Sequence, residues 1–243
     1  MQNNITDSDI KALINFLKKK PRLTSGKKVL EFEKKWSNWL GTKYSVFVNS
    51  GSSANLLSIA YLKHLYPKGG EIIVPALTWV SDIASIIQNG FKPIIVDINL
   101  HNLSSSFEEI RKKYNKKTVA VFLTHILGLN GLNQEILNFC NKKNIILIED
   151  VCESHGATFK NKKLGNFGLI SNFSFYYAHH MTTIEGGIVS TNSNKVYQAI
   201  RMLRSHGLIR ELNDTKYKNY LEKKNSDLNK EFIFYLPGYN LRS

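Results

Sequence analysis

Asn144-Ile-Ile-Leu-Ile-Glu-Asp150, continuing as Val-Cys-Glu-Ser-His-Gly-Ala157, is the stretch on which the reading of this chain turns. A short apolar run that ends in two carboxylates has the composition of a strand buried on both faces. Open α/β sheets hold their ligands beyond the carboxyl ends of such strands, so Asp150 is a candidate to face a site. Taken alone, the carboxylate is equally a helix cap or a salt-bridged strand end. Its surroundings favour a site: Glu149, Asp150, Glu153 and His155 stand beside Gly156 and Ala157, and Ser174, His179, His180 and Glu185-Gly186-Gly187 follow closely.

Outward from this run the chain alternates β-rich apolar segments with segments of helical period, the pattern of a sheet with crossover helices. The expected strands are Tyr44–Asn49, Glu71–Val74, Pro93–Asp97, Thr118–Thr124, Ile145–Asp150, Ile170–Phe175 and Gly187–Thr191. Helices are expected over 7–20, 27–40, 52–65, 78–89 and 132–143; in the third, Leu56, Ile59, Leu62 and Leu65 fall near one face. The fold class is α/β with a largely parallel sheet. Residues 210–230 are polar and highly charged and read as an exposed loop or poorly ordered insertion, after which Phe-Ile-Phe-Tyr-Leu-Pro-Gly-Tyr-Asn-Leu-Arg-Ser closes the sequence.

The 243 residues allow one large domain or two small ones, and 42% hydrophobic with 21% charged residues excludes a disordered chain. No apolar run reaches the roughly 18 to 20 residues that cross a bilayer, and the polar start lacks the regions of a signal peptide, so a cytoplasmic location with no membrane partner is expected. Cys140 and Cys152 form neither a disulfide framework nor a CxxC metal pair. The +14 net charge raises nucleic-acid binding. The lysines, however, lie in short scattered clusters without interleaved aromatics, which argues for solvated faces and some attraction for a phosphate-bearing ligand rather than nucleic acid.

Asn49-Ser50-Gly51-Ser52-Ser53-Ala54-Asn55 joins a strand to a helix, where free N–H groups and the helix dipole attract an anion. Alone it is as well explained by a serine-capped turn. Together with Pro75-Ala76-Leu77-Thr78-Trp79, the Glu-Asp-x5-Gly-Ala run from Glu149 to Ala157, and Ser174-Phe175 ahead of Glu185-Gly186-Gly187, it resembles the sugar aminotransferase and dehydratase family of fold-type I pyridoxal-phosphate enzymes. The resemblance covers most of residues 20–243. It implies the three-layer large domain of that fold type over residues 26–209, an N-terminal helical segment over 1–25, and over 210–243 the charged insertion and the start of a C-terminal region whose small domain is lacking.

In lysine-bearing members the residue six positions before the Glu of Glu-Gly-Gly carries the cofactor; here that position is His179. The segment His179–Gly187 is similar to the dehydratase branch that acts on GDP-4-keto-6-deoxymannose in colitose and O-antigen biosynthesis. Imidazole forms no lasting covalent link to the cofactor, but its ordinary pKa near 6.5 suits proton transfer around neutrality. The resemblance therefore implies pyridoxal or pyridoxamine 5′-phosphate held noncovalently, with His179 as the base that lets the C3 hydroxyl of a nucleotide-linked 4-keto sugar leave. Glutamate as co-substrate would restore the amine form. Asp150 would pair with the ring nitrogen, Trp79 would cover a ring face, and Gly51, Ser52 and Ser174 would hold the phosphate. Glu153 would lie near the phenolic side of the ring, and Asn240 would reach the phosphate in the neighbouring subunit of a homodimer.

For Trp79 the competing explanation is ordinary core packing; His180, adjacent to the lysine position, need not face the same pocket, and His125, at an expected strand end, reads more readily as a satisfied structural histidine than as one that approaches the site. His155 and His206 receive no role. A nucleotide-sugar aminotransferase is disfavoured by the missing lysine. An iron–sulfur dehydratase needs four cysteines that are not present. A noncatalytic remnant of the family, limited to cofactor binding or dimerisation, is the reading from a different class.

Overall fold

The structure is a computed structural model and describes residues 4–242; Met1–Asn3 and Ser243, the outermost parts of the expected terminal segments, lie outside the described residues. In chain order the helices are α1 (Asp7–Leu17), α2 (Lys27–Leu40), α3 (Gly51–Leu65), α4 (Val80–Gln88), α5 (Phe107–Lys113), α6 (Gln134–Lys143), α7 (Asn194–Arg204) and α8 (Thr215–Lys224). The strands are β1 (Tyr44–Val48), β2 (Glu71–Pro75), β3 (Lys92–Val96), β4 (Ile98–Asn99), β5 (Ser104–Ser105), β6 (Thr118–Thr124), β7 (Ile146–Asp150), β8 (Thr158–Phe159), β9 (Lys162–Lys163), β10 (Ile170–Ser174) and β11 (Gly187–Thr191). Each expected strand and each of the five expected helices is present, with ends displaced by a few residues at most.

Seven strands form one sheet in the order β1-β11-β10-β7-β6-β2-β3. β11 runs antiparallel to both its neighbours and the other pairs are parallel, so six strands point their carboxyl ends the same way. The β-branched and leucine-rich strands are buried on both faces because helices cover both. On one face Leu57 and Ile59 of α3, Ile86 of α4 and Ile200 and Leu203 of α7 pack against Val46, Phe122 and Ile148. On the other, Trp36 and Leu40 of α2, Ile110 of α5 and Ile136 and Cys140 of α6 pack against Ile73, Leu123 and Phe173. This is the three-layer α/β arrangement.

Local chemistry sets the ends of the elements that position the site. Ser50 is extended and its hydroxyl caps α3 by accepting from Ser53 N–H at 3.1 Å. α6 stops at Asn144, which takes the left-handed conformation (φ 54°), and the chain turns directly into β7. A buried ion pair fastens α2 to α7: Arg204 Nη1 lies 3.0 Å from Glu33 Oε1 and also donates to the Phe47 carbonyl of β1.

Residues 210–230 depart from the expected exposed loop. Asp214 caps α8 by accepting from Tyr217 N–H at 2.9 Å, and Leu221 is buried. The helix needs only a narrow apolar stripe, Tyr217 and Leu221, because it lies against an existing core rather than forming one, so its composition stays polar. The following segment returns to the sheet: Tyr239 N–H donates to Leu203 O, Leu241 N–H to Arg204 O, and Asn49 N–H to Leu241 O.

Candidate active site

The site forms where β1, β2, β6, β7 and β10 end. Gly51, the first residue of α3, lies so close to β10 that a Cβ there would come within 2.7 Å of Ser174 Cβ and 3.0 Å of Cys152 Sγ. Only glycine permits this approach. It brings the Ser174 hydroxyl beside the helix start, where the N–H groups of Gly51 and Ser52 take no partner within the helix. Ser52 is exposed there. A helix start of this kind favours a phosphate dianion.

Asp150 ends β7 and is buried. Its Oδ1 accepts from Cys152 N–H at 2.8 Å and its Oδ2 from Asn55 Nδ2 at 2.9 Å, which fixes the carboxylate in one orientation. Glu149, its neighbour, points the other way and serves the fold. It accepts the N–H groups of Gly165, Phe167 and Gly168 at 2.9, 2.8 and 2.7 Å, and His125 Nε2 lies 3.4 Å away. Burial acts to raise the Glu149 carboxyl, but His125 and the backbone donors outweigh it and hold it below the ordinary value. His125 is thus a buried structural residue, as expected, and accepts Gly131 N–H through Nδ1.

His179 lies in the turn between β10 and β11, half-buried, its N–H donating to Tyr176 O at 3.0 Å. Burial lowers its pKa; the nearby Glu153 and Asp150 carboxylates work in the opposite direction. Glu153 is half-buried and accepts Leu127 N–H at 3.1 Å. His180 is exposed. His155, unassigned from the sequence, lies beside them: its ring is 6.3 Å from that of His179 and 5.6 Å from that of His180, backed by Trp36, Phe173 and Phe175.

Trp79, at the start of α4, is 63% exposed, which sets aside core packing and leaves its indole free to cover a ligand. Asn240 is exposed, and its Oδ1 accepts from Arg242 rather than from a group of the cradle. It adjoins Leu241, which is bonded to Asn49 at the cradle's edge. The structure therefore gathers Gly51, Ser52, Ser174, Asp150, Glu153 and His179 near one end of the sheet. It also reveals Asn55, Asp82 and His155, which the sequence reading missed. Asn55 sat inside the quoted turn, and Asp82 was visible as the one charged residue of its helix. The cradle, the oriented carboxylate, the exposed indole and the half-buried imidazole suit a phosphorylated, cationic aromatic ring.

The family model for the DegT/DnrJ/EryC1/StrS aminotransferases matches residues 3–242. The chain belongs to this family. It is 38% identical over 240 residues to a GDP-4-keto-6-deoxy-D-mannose 3-dehydratase of Escherichia coli, covering 97% of this chain and 61% of that protein. A protein of the same name from Yersinia pseudotuberculosis is 36% identical over 224 residues, covering 90% of this chain and 56% of the relative. Among solved structures, a GDP-4-keto-6-deoxymannose-3-dehydratase variant with bound GDP-perosamine superposes with a TM-score of 0.89 at 37% identity, over 99% of this chain and 63% of that one. The E. coli enzyme with bound hydrated pyridoxal phosphate gives 0.87 at 34%, over 99% and 62%. The chain thus spans about three fifths of the length of these relatives, and its fold is that of fold-type I pyridoxal-phosphate enzymes.

Proposed function

We propose that this chain binds pyridoxal or pyridoxamine 5′-phosphate noncovalently and serves as a 3-dehydratase of a nucleotide-linked 4-keto-6-deoxyhexose, with GDP-4-keto-6-deoxymannose as the substrate and glutamate as the amino donor. The observation that carries this reading is His179: a half-buried imidazole near two carboxylates, at the position where the lysine-bearing members of the family fix their cofactor. Bound in this site, the cofactor supplies an electron sink for breaking the bond between C3 and its oxygen.

The chain's own residues do the rest. Gly51 and Ser52 N–H groups and the Ser174 hydroxyl hold the phosphate. Asp150 orients the ring through its nitrogen, Trp79 shields one face, and Glu153 lies toward the phenolic side. A neutral imidazole nitrogen of His179 accepts the proton whose removal lets the C3 hydroxyl depart, and burial keeps that imidazole neutral below the usual histidine value. On the same reading residues 26–209 form the cofactor-binding large domain, and the chain acts as a cytoplasmic homodimer in deoxysugar synthesis for a colitose-containing surface polysaccharide, the partner's Asn240 reaching the phosphate.

The test is the chain with pyridoxamine phosphate, glutamate and GDP-4-keto-6-deoxymannose. Ammonia release with loss of the C3 oxygen is expected, and its rate should fall on the acid side only below about pH 6.5. His179→Gln should stop the reaction while cofactor absorbance shows binding unchanged. An amino sugar as product, or turnover that survives His179→Gln, refutes the proposal.

A further inference from the structure

Asp82 of α4 is fully buried directly behind Asp150, and among the described residues no cation accompanies it. Its Oδ2 lies 2.5 Å from Thr78 Oγ1 and 2.8 Å from Thr124 Oγ1, and these two hydroxyl oxygens are 2.7 Å apart. Three oxygens make three contacts, but the threonines bring only two hydrogens. On the other side, Asp82 Oδ1 accepts from Asn55 Nδ2 at 2.6 Å, and the same nitrogen lies 2.9 Å from Asp150 Oδ2 and 3.1 Å from Ser81 Oγ. An amide with two hydrogens faces three acceptors, while Asn55 Oδ1 is buried without a donor. The network is one proton short.

We propose that Asp82 is held as a neutral carboxylic acid whose proton closes the threonine triangle. In that state it is a positioning residue: its carbonyl oxygen anchors Asn55, and Asn55 in turn holds Asp150 as the single negative charge presented to the cofactor's ring nitrogen. The positioning clause rests on the reading of Asp150 given above. The groups that face Asp82 from the packed elements are Asn55 of α3, Thr124 of β6, Asp150 of β7 and Cys152 beyond it; none is positively charged. Burial first, and then Asp150, push the Asp82 carboxyl well above its ordinary value, in agreement with the hydrogen count. Two ionised carboxylates sharing one amide would repel; one acid and one carboxylate do not.

Infrared spectroscopy of the unloaded full chain near pH 8 tests the proton directly. Surface carboxyls are ionised there, so a protonated-carboxyl stretch is expected in the parent and in Asp150→Asn and absent from Asp82→Asn; no such band in the parent overturns the proposal, whether or not a variant folds. Urea unfolding supplies a second reading. An unfolded chain ionises Asp82 while the folded one keeps its proton, so parental stability falls as pH rises above the ordinary Asp value, by about tenfold in the folding constant per pH unit. Asp82→Asn cannot ionise and should gain on the parent by that factor, whereas parallel curves show an ionised Asp82 and overturn the proposal. For positioning, pyridoxamine phosphate is titrated by absorbance. Asp82→Asn should bind within about threefold of the parent and Asp82→Leu should lose tenfold or more, as should Asp150→Asn. Equal losses in Asp82→Asn and Asp82→Leu overturn the positioning role. Unchanged binding in Asp150→Asn overturns the reading of Asp150 and with it that role, while the infrared result still decides the proton.

Discussion

His155 shows what a single side chain reveals only in three dimensions. Its ring nitrogens are buried, and its pKa is lowered to about 4, first by burial and then by His180 and His179, against the opposing pull of the Ser174 backbone and Asp150. A histidine that stays neutral when folded but accepts a proton near pH 6.5 when unfolded makes stability rise with pH across that interval. Stability from this source is fully present above about 6.5 and is lost as pH falls toward the folded value of about 4, by up to about 3 kcal/mol. His155→Phe, which keeps the aromatic packing against Trp36 and Phe173, should therefore unfold at nearly the same urea concentration at pH about 5 as at pH about 7.5, while the parent's midpoint drops. Equal acid sensitivity in the two proteins would mean that the folded His155 is protonated. In the sequence this histidine was one of several near Asp150, with nothing to distinguish it. Asp150 itself was legible because a strand's carboxyl end has a known use, but its anchor Asn55 lies 95 residues earlier and Asp82 acts through that anchor. Such a relay leaves no periodic trace.

At the scale of elements, apolar runs and turn residues sufficed for the seven strands of the main sheet and for α2, α3, α4 and α6, since burial on two faces imposes composition directly, whereas α5 and α7 were not read although Ile110, Ile200 and Leu203 join the core. α8 escaped because it borrows a core instead of building one. The junction of β1 and α3 lies between these cases: its motif was visible, but the reason for its glycine was not. Gly51 is helical, with no positive φ, so its requirement comes from the wall opposite rather than from the backbone. Gly51→Ala must push the start of α3 away from Ser174 and Cys152, an overpacking that costs about 1–3 kcal/mol. Because the displaced groups are the proposed phosphate donors, we expect urea stability to fall by that amount and pyridoxamine phosphate affinity to fall by tenfold or more. A loss of stability with affinity intact would place the phosphate elsewhere.

Across the whole molecule, the groups of this chain assigned to the cofactor stand at or just beyond the carboxyl ends of β1, β2, β7 and β10, four of the six co-directed strands of a single sheet, with Asn240 of the proposed partner apart. No helix among the described residues is long and apolar enough to cross a membrane. The sheet is closed over on both faces by α2, α5 and α6 on one side and α3, α4 and α7 on the other. The last described residues return to β1 through Asn49 and Leu241, so even the charged segment around α8 is anchored to the rim of the phosphate cradle. On the proposed reading cofactor binding and dehydration make separate demands: the first draws on the rim of this sheet and the partner's Asn240, whereas the second also needs the groups that hold the nucleotide sugar. A ligand that binds the folded state alone raises stability by about 2.7 kcal/mol at a hundredfold excess over its dissociation constant. Pyridoxamine phosphate should therefore raise the melting temperature of the chain progressively with concentration. Inorganic phosphate should give a smaller rise, since it occupies the cradle without reaching Asp150. Asp150→Asn should bring the two ligands' effects together, because only the ring distinguishes them. If the parent already responds equally to both, the site recognises an anion and nothing more, and the assignment of the ring to Asp150 and Trp79 fails with it.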